Sequence, residues 1–198
     1  MKLKLDLHVH TTCSPDSSIS IRQLLTALRD LSLDGAAITD HDAVSAIKEA
    51  ERLAYHMDLL IIPGVEVTTS QGDIIILGLR SPPILKDAWQ LINEAKKQGG
   101  ITIAAHPFDP ERNSLMELCF DLNLDALEVL NAKSKSYANR EAQRAAQLLG
   151  KPGVGGSDAH RVEGIGAAFT EVCCNDFTVN SVLQSILKGE VRASRLKI

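Results

Sequence analysis

Aromatic side chains are scarce in this 198-residue chain, at 4% of residues, so its core must be built mainly from Leu, Ile, Val and Ala. It also lacks a basic surplus: 21 Lys and Arg stand against 25 Asp and Glu, a formal charge of −4. Proteins with general nucleic-acid affinity carry the opposite balance, so no stable nucleic-acid complex is expected. A phosphorylated substrate remains compatible, because bound divalent ions would reverse the sign locally. The four cysteines (Cys13, Cys119, Cys173, Cys174) are too few and too irregular for a disulfide framework, and none forms a CxxC pair. They read as reduced thiols, with Cys13 the one candidate for a thiolate ligand. No apolar run approaches the roughly 20 residues that span a bilayer, so a cytoplasmic protein without a membrane partner is expected. The GxSxG elbow, the GxxxxGKS/T phosphate loop and the GxGxxG fingerprint are all absent.

Strand and helix patterns alternate from end to end. Leu3 to His10 is apolar at every second position, the signature of a strand. Ser18 to Leu33 reads as a helix capped at Ser20, followed by a short strand from Gly35 to Thr39 and a helix from Val44 to Met57. Leu59 to Val67 and Ile74 to Leu79 are strands about a polar turn, and so hairpin-like. Then follow a helix (85–98), a strand (101–105), a strand containing Glu128 (126–130) and a helix (137–149). The glycines of GVGGSD come next, where backbone can approach a site closely. A strand (168–173), a helix (179–188) and a basic tail complete the pattern. Length and rhythm imply one domain over residues 1–198, of α/β class, with a mainly parallel sheet. Periodicity leaves open whether that sheet is doubly wound or closed into a barrel.

In parallel α/β folds the site lies at the carboxyl ends of the strands. Here those ends carry His8 and His10 with Asp16 beyond them, then Asp40, His41 and Asp42. Glu66, His106, Glu128, Asp158 and His160 follow at later strand ends. Imidazole and carboxylate together form a ligand set for zinc, manganese or iron. One His-x-His pair is weak, but five of the six histidines fall at such ends, each beside a carboxylate or another histidine. The sixth, His56, reads as a surface residue within a helix. A metal-dependent hydrolase is the reading these residues support.

Taken in order, DLHVHTTCSPD, ITDHDAV, PGVEVT, AHPF, EVLN and GGSDAH resemble the PHP family, the polymerase and histidinol phosphatase domain. They cover nearly the whole chain and look like its small stand-alone metal-dependent phosphoesterases. The resemblance implies a distorted (βα)7 barrel holding two or three Zn, Mn or Fe ions. His8, His10, Glu66 and Asp158 would hold one ion, and Asp16, His41 and His160 another. Glu66 would bridge to a further ion that His106 also binds. Many members supply one more histidine where this chain has Ile75. Asp73, on the same strand face, is then the nearest carboxylate; it or water would complete that ion.

The implied reaction is hydrolysis of a small phosphorylated metabolite, nucleotide or short oligonucleotide by water activated at the ions. Asp42 is a candidate acid for the leaving group, with a helix N-cap as its structural alternative. Arg140 is the favoured phosphate contact among Lys133, Lys135, Arg140 and Arg161, and Glu111 to Leu118 is the segment expected to cap the mouth. Two other readings use the same ligands: an amidohydrolase, and a metal-stabilised module without activity.

Overall fold

Leu3, Leu5 and Leu7 alternate with polar residues along β1 (Lys2–Val9), and their shared face is part of the barrel interior. The computed structural model, which describes residues 1–196, continues with α1 (Ile21–Asp30), β2 (Gly35–Ile38), α2 (Ile47–Tyr55) and β3 (Leu60–Thr68). Next come β4 (Asp73–Leu77), α3 (Ala88–Lys97), β5 (Ile101–Ala104), a 3-10 turn (Met116–Phe120), β6 (Ala126–Asn131) and α4 (Ser136–Leu149). β7 (Gly153–Gly156), β8 (Ala168–Cys173), α5 (Val179–Leu187) and β9 (Val191–Arg195) follow. α1 begins where expected, because Ser20 and Gln23 form a reciprocal capping box.

The strands form one sheet in the order β7-β6-β5-β4-β3-β2-β1-β8-β9. It is not mainly parallel, as the strand-helix rhythm suggested. β3–β4, β4–β5, β1–β8 and β8–β9 are antiparallel pairs. The reason is local: β3 and β4 are joined by a turn too short for the crossover a parallel pair requires. The reversal matters for the site, since it brings the amino end of β4, with Asp73, level with the carboxyl ends of its neighbours. The basic tail, read as a terminal segment, is in fact β9 through Arg195, paired with β8.

The sheet curls into a nearly closed barrel. At the seam between β1 and the end of β7, the Asp158 amide donates to the His8 carbonyl at 2.7 Å and the His10 amide to the Ala159 carbonyl at 3.0 Å. Farther down, the Thr170 hydroxyl accepts from the Gly155 amide and donates to its carbonyl, each at 2.8 Å. Closure therefore fastens Asp158 directly to the His8–His10 strand. Inside, Leu5, Leu7, Ile62, Ile75, Leu77 and Ile103 form an aliphatic plug, which Val182 and Ile186 of α5 join. Two further clusters lie under the outer helices, one beneath α1 and α2 and one beneath α3 and α4. Among the described residues no helix is long and apolar enough to cross a membrane.

Candidate metal centre

Above the plug, the interior changes character. His8, His10, Glu66, His106, Glu128 and Asp158 are all buried there. Glu66 is central: its Oε2 lies 3.4 Å from His8 Nε2, 3.3 Å from His10 Nε2 and 3.2 Å from His41 Nδ1. Its Oε1 lies 3.1 Å from His106 Nε2. Asp158 Oδ1 approaches the same place, 3.5 Å from His10 Nε2. Three groups result whose ligand atoms lie within 4.8 Å of one another: His8, His10 and Glu66; His10, His41 and His160; and Glu66, Asp73 and His106. Asp16 joins the second from an exposed loop, its Oδ2 3.0 Å from His160 Nε2 and 3.7 Å from His41 Nε2.

The donor atoms suit a cation for a reason the hydrogen bonds supply. His8 Nδ1 is 3.0 Å from Glu128 Oε1, an acceptor only, so the ring proton belongs on Nδ1. His10 Nδ1 is 3.1 Å from the Ser14 hydroxyl, which gives its own proton to Asp40 at 2.7 Å. That hydroxyl must therefore accept from His10. His106 Nδ1 faces the Ser114 hydroxyl at 3.4 Å, and this hydroxyl donates to the carbonyls of His106 or Asp109. All three rings are thus set to turn an Nε2 lone pair inward, the arrangement in which outer partners orient metal-binding imidazoles. His8 Nε2 and His10 Nε2 are only 3.1 Å apart and repel unless a proton or a cation lies between them. The buried atoms Asp158 Oδ1 and His41 Nδ1 have no hydrogen-bond partner among the described residues. Nitrogen and oxygen donors so placed fit zinc, manganese or iron.

The ionisation pattern follows from the same proximity. Burial alone would push the His8 ring down, but Glu128, Glu66 and Asp158 outweigh it and hold it well above its ordinary value. His10 and His106 are raised in the same way, against burial, by Asp158 and Glu66 for the first and chiefly by Glu66 for the second. Glu66 and Asp158 are correspondingly held low, because His8 and its neighbours overcome the cost of burying a carboxylate. Asp73 is raised by burial and by the nearby charge of Glu66. The cluster thus carries protons on imidazoles that a divalent ion can replace.

Three of the six non-glycine residues with positive φ among the described residues lie here. Asp42, His106 and Asp158 all have positive φ, at 50°, 32° and 55°. Gly156 permits the closest approach: a Cβ on it would stand 2.4 Å from the His8 Cβ and 3.0 Å from Glu128 Oε1. The expectation that GVGGSD lets the backbone close on the site has its physical reason in that contact.

Other expected residues are placed differently. Arg140 is exposed on α4 and has no side-chain hydrogen bond or ion pair among the described residues. The arginine that reaches the cluster is Arg112, whose Nη1 is 2.8 Å from Asp158 Oδ2. Lys133 accompanies it, with Nζ 3.6 Å from Asp158 Oδ1 and 2.6 Å from His160 Nδ1. Lys135 is engaged by Glu111, and Arg161 borders a small hollow beside His160. Asp42 is not a helix cap, since α2 starts after Ala46. Its carboxylate accepts from Lys86 at 2.9 Å and from the Thr68 amide at 3.2 Å, at the rim of the site. Cys13 is exposed and outside all three ligand groups. His56 is exposed, as expected, but caps the end of α2 instead of lying within it.

Sequence reasoning missed Asn131, whose side-chain amide donates to Glu128 Oε2 at 3.0 Å and Asp158 Oδ2 at 3.2 Å. It is held in turn by Asn139, which accepts from its amide and donates to its carbonyl, each at 2.9 Å. The one signal for Arg112 was its place inside the expected cap segment. That segment is tied down by Asn113, whose side chain donates to Asp73 at 2.8 Å.

A nearly closed α/β barrel with several buried imidazole and carboxylate groups at one end has the donor set of a metal-binding site. The PHP domain model matches residues 6–153 and the PHP-associated model residues 136–191. The chain therefore belongs to the PHP family. It is 34% identical over 141 residues to an uncharacterized protein of Methanocaldococcus jannaschii, covering 66% of this chain and 82% of that one. It is also 36% identical over 70 residues to a 5′-3′ exoribonuclease of Haemophilus influenzae, covering 35% of this chain and 25% of the relative. Among solved structures, a two-domain Bacteroides vulgatus protein containing a predicted PHP-like metal-dependent phosphoesterase superposes with a TM-score of 0.83 at 21% identity. That match covers 98% of this chain and 65% of the other, so the chain spans only part of both the exoribonuclease and the two-domain protein.

Proposed function

We propose that the protein hydrolyses a phosphoester of a nucleotide or short oligonucleotide, using two or three Zn, Mn or Fe ions. The observation that carries this reading is the convergence of His8, His10, His41 and His106 on the single carboxylate of Glu66, with Asp158 Oδ1 unpartnered beside them. His8, His10, Glu66 and Asp158 would hold one ion, and Asp16, His41 and His160 a second. Glu66, His106 and Asp73 would hold a third, which makes Asp73 the replacement for the histidine missing at Ile75. Bound there, the ions would supply Lewis acidity at the phosphoryl group and lower the pKa of water.

The chain's own residues do the rest. Glu128, Ser14 and Ser114 hold three imidazoles in one tautomer and orientation, so little rearrangement is needed when substrate arrives. Arg112 and Lys133 present two cations at the rim, 29% and 38% exposed, where the phosphate of a substrate can reach them. Asp42, at the rim and outside the ligand groups, would be the acid for a leaving group once Lys86 releases it. The likeness to an exoribonuclease brings oligonucleotide ends within scope, despite the acidic net charge.

The test is turnover with added Mn²⁺ or Zn²⁺ on phosphomonoesters, on oligonucleotides cleaved from an end, and on cyclic amides. Phosphoester hydrolysis that disappears in His10→Ala is expected. Turnover of amides alone would overturn the proposal in favour of an amidohydrolase. A protein that binds the ions but turns over none of these would be the inactive module.

A further inference from the structure

A groove of about 680 Å³ runs between the 3-10 turn at Met116–Phe120 and α4. Three of the chain's seven aromatic residues line it: Phe108, Phe120 and Tyr137. Phe120 and Tyr137 are 45% and 43% exposed. A chain so poor in aromatics gains most by burying them, since each carries a large apolar area. Tyr55, Trp89 and Phe177 are exposed elsewhere, but Phe120 and Tyr137 face one groove from its two walls with Phe108 beside them, and that grouping points to a ligand with flat, apolar faces.

We propose that this groove stacks the nucleobases of a single-stranded substrate whose phosphate lies at Arg112 and Lys133. The proposal rests on the phosphoesterase reading above. Its geometry is one of continuity: the segment that carries His106 to Glu66 and Arg112 to Asp158 also carries Phe108 and Pro110 to the groove wall. Phe108 is two residues from His106, so their Cα atoms are at most about 7 Å apart. On the other wall Tyr137 stands in the first turn of α4, just past the end of β6, and Leu148 in its last turn. The helix rises about 16 Å between them, room for about four bases at a ~3.4 Å spacing. Two carboxylates also line the groove: Glu141, which pairs with Arg144 at 3.2 Å, and Glu117, which has no cation partner among the described residues. Base stacking on aromatic faces tolerates any sequence, and Arg112 and Lys133 would supply the local positive charge for the backbone that the acidic protein lacks overall.

The test compares two fluorescent probes on the Mn²⁺-loaded protein by anisotropy: a phosphorothioate-linked pentanucleotide and its abasic counterpart of equal length and charge. The base-bearing probe should bind about tenfold more tightly, as one well-stacked base provides. Phe120→Ala with Tyr137→Ala should abolish that difference while leaving the abasic probe unaffected. Tyr137→Phe, which keeps the ring, should preserve it and controls for folding. Equal binding of the two probes by the parent protein would overturn the proposal and leave the groove to another partner, such as a peptide. So would an undiminished preference in the double alanine variant. Binding is read separately from turnover: base preference without hydrolysis would fault only the phosphoesterase reading, and hydrolysis without base preference only the groove.

Discussion

Asp73 and Ile75 are two residues apart on β4 and face the same barrel interior. Asp73 is held by Asn113 beside His106, whereas Ile75 is sealed among aliphatic side chains. Over that step of about 7 Å the interior passes from groups that attract a cation to groups that exclude water. The same change occurs on β1 between Leu7 and the His8–His10 pair. The lower layer has no unpaired polar side-chain atom among the described residues and is satisfied by packing. In the upper layer Asp158 Oδ1 and His41 Nδ1 are unpaired, as is Ser134 Oγ just past β6, and like-facing ring nitrogens stand 3.1 Å apart. One layer stabilises the fold, and the other stores electrostatic conflict that a bound ion resolves. Such conflict is affordable only where a rigid layer beneath it holds the strands in place.

Replacements above and below this boundary should fail in different ways. The largest effect is expected from Asp158→Ala in steady-state hydrolysis, a loss of roughly a thousandfold or more, or about 4 kcal/mol of barrier. Its circular dichroism spectrum should match that of the parent protein. A loss of fold in this variant would mean that the upper layer is structural after all. Ile75→Ala should do the reverse. Denaturant titration should show a loss of about 2–5 kcal/mol, typical of a cavity in an aliphatic core, with activity per folded molecule largely kept.

Divalent ions should stabilise the upper layer alone. At a hundredfold excess over the dissociation constant the gain is about 2.7 kcal/mol, or roughly 5–10 °C in melting temperature for a chain of this size. His10→Ala should remove most of that increment. Its pH dependence has a definite sign. His8, His10 and His106 have folded pKa values raised above the ordinary 6.5. They therefore bind protons more readily folded than unfolded. The stability they give the ion-free protein is complete below about pH 6.5 and lost as pH rises through the folded values. Glu66 and Asp158, held low, contribute in the opposite direction, and their share is lost on acidification. Because ions must displace the imidazole protons, the melting increment from Mn²⁺ should grow as pH is raised from 6 to 8. A flat increment across that range would remove protonated imidazoles from the account.

The smallest effect expected is at Asn131, which touches both Glu128 and Asp158 without belonging to a ligand group. Asn131→Ala should cost about 10–100-fold in metal affinity or activity, the usual range for an orienting partner. Isothermal titration with Zn²⁺ or Mn²⁺ would measure it directly.

Much of the candidate ligand set was legible along the chain, because a strand end is a local feature. His8 with His10, Asp158 with His160, and Glu66 each declare themselves within a few residues. The helix caps at Ser20 and the glycine approach at Gly156 are local in the same sense. Arg140 illustrates the limit. It stands at the start of a helix that follows the strand carrying Glu128, yet its side chain turns to solvent, and the cation at Asp158 comes from residue 112 instead. Asp42 shows the same limit from the other side, where a plausible helix cap is a rim carboxylate bound to Lys86. The β3–β4 hairpin was legible from its polar turn, whereas an alternating strand-helix rhythm does not reveal that β4 also runs against β5 and β8 against β1.

The sequence by itself determined which side chains stand at strand ends, since period-two alternation and i, i+2 spacing follow from backbone geometry alone. It determined as well, through the motifs those spacings make, the family to which the chain belongs. Only the tertiary structure decided that Asp73 stands beside Glu66 and His106, that Asn131 links Glu128 to Asp158, and that Arg112 reaches Asp158. These arrangements depend on which strands become neighbours and how the barrel seam closes. Contacts between residues dozens of positions apart determine both, and no local pattern carries that information.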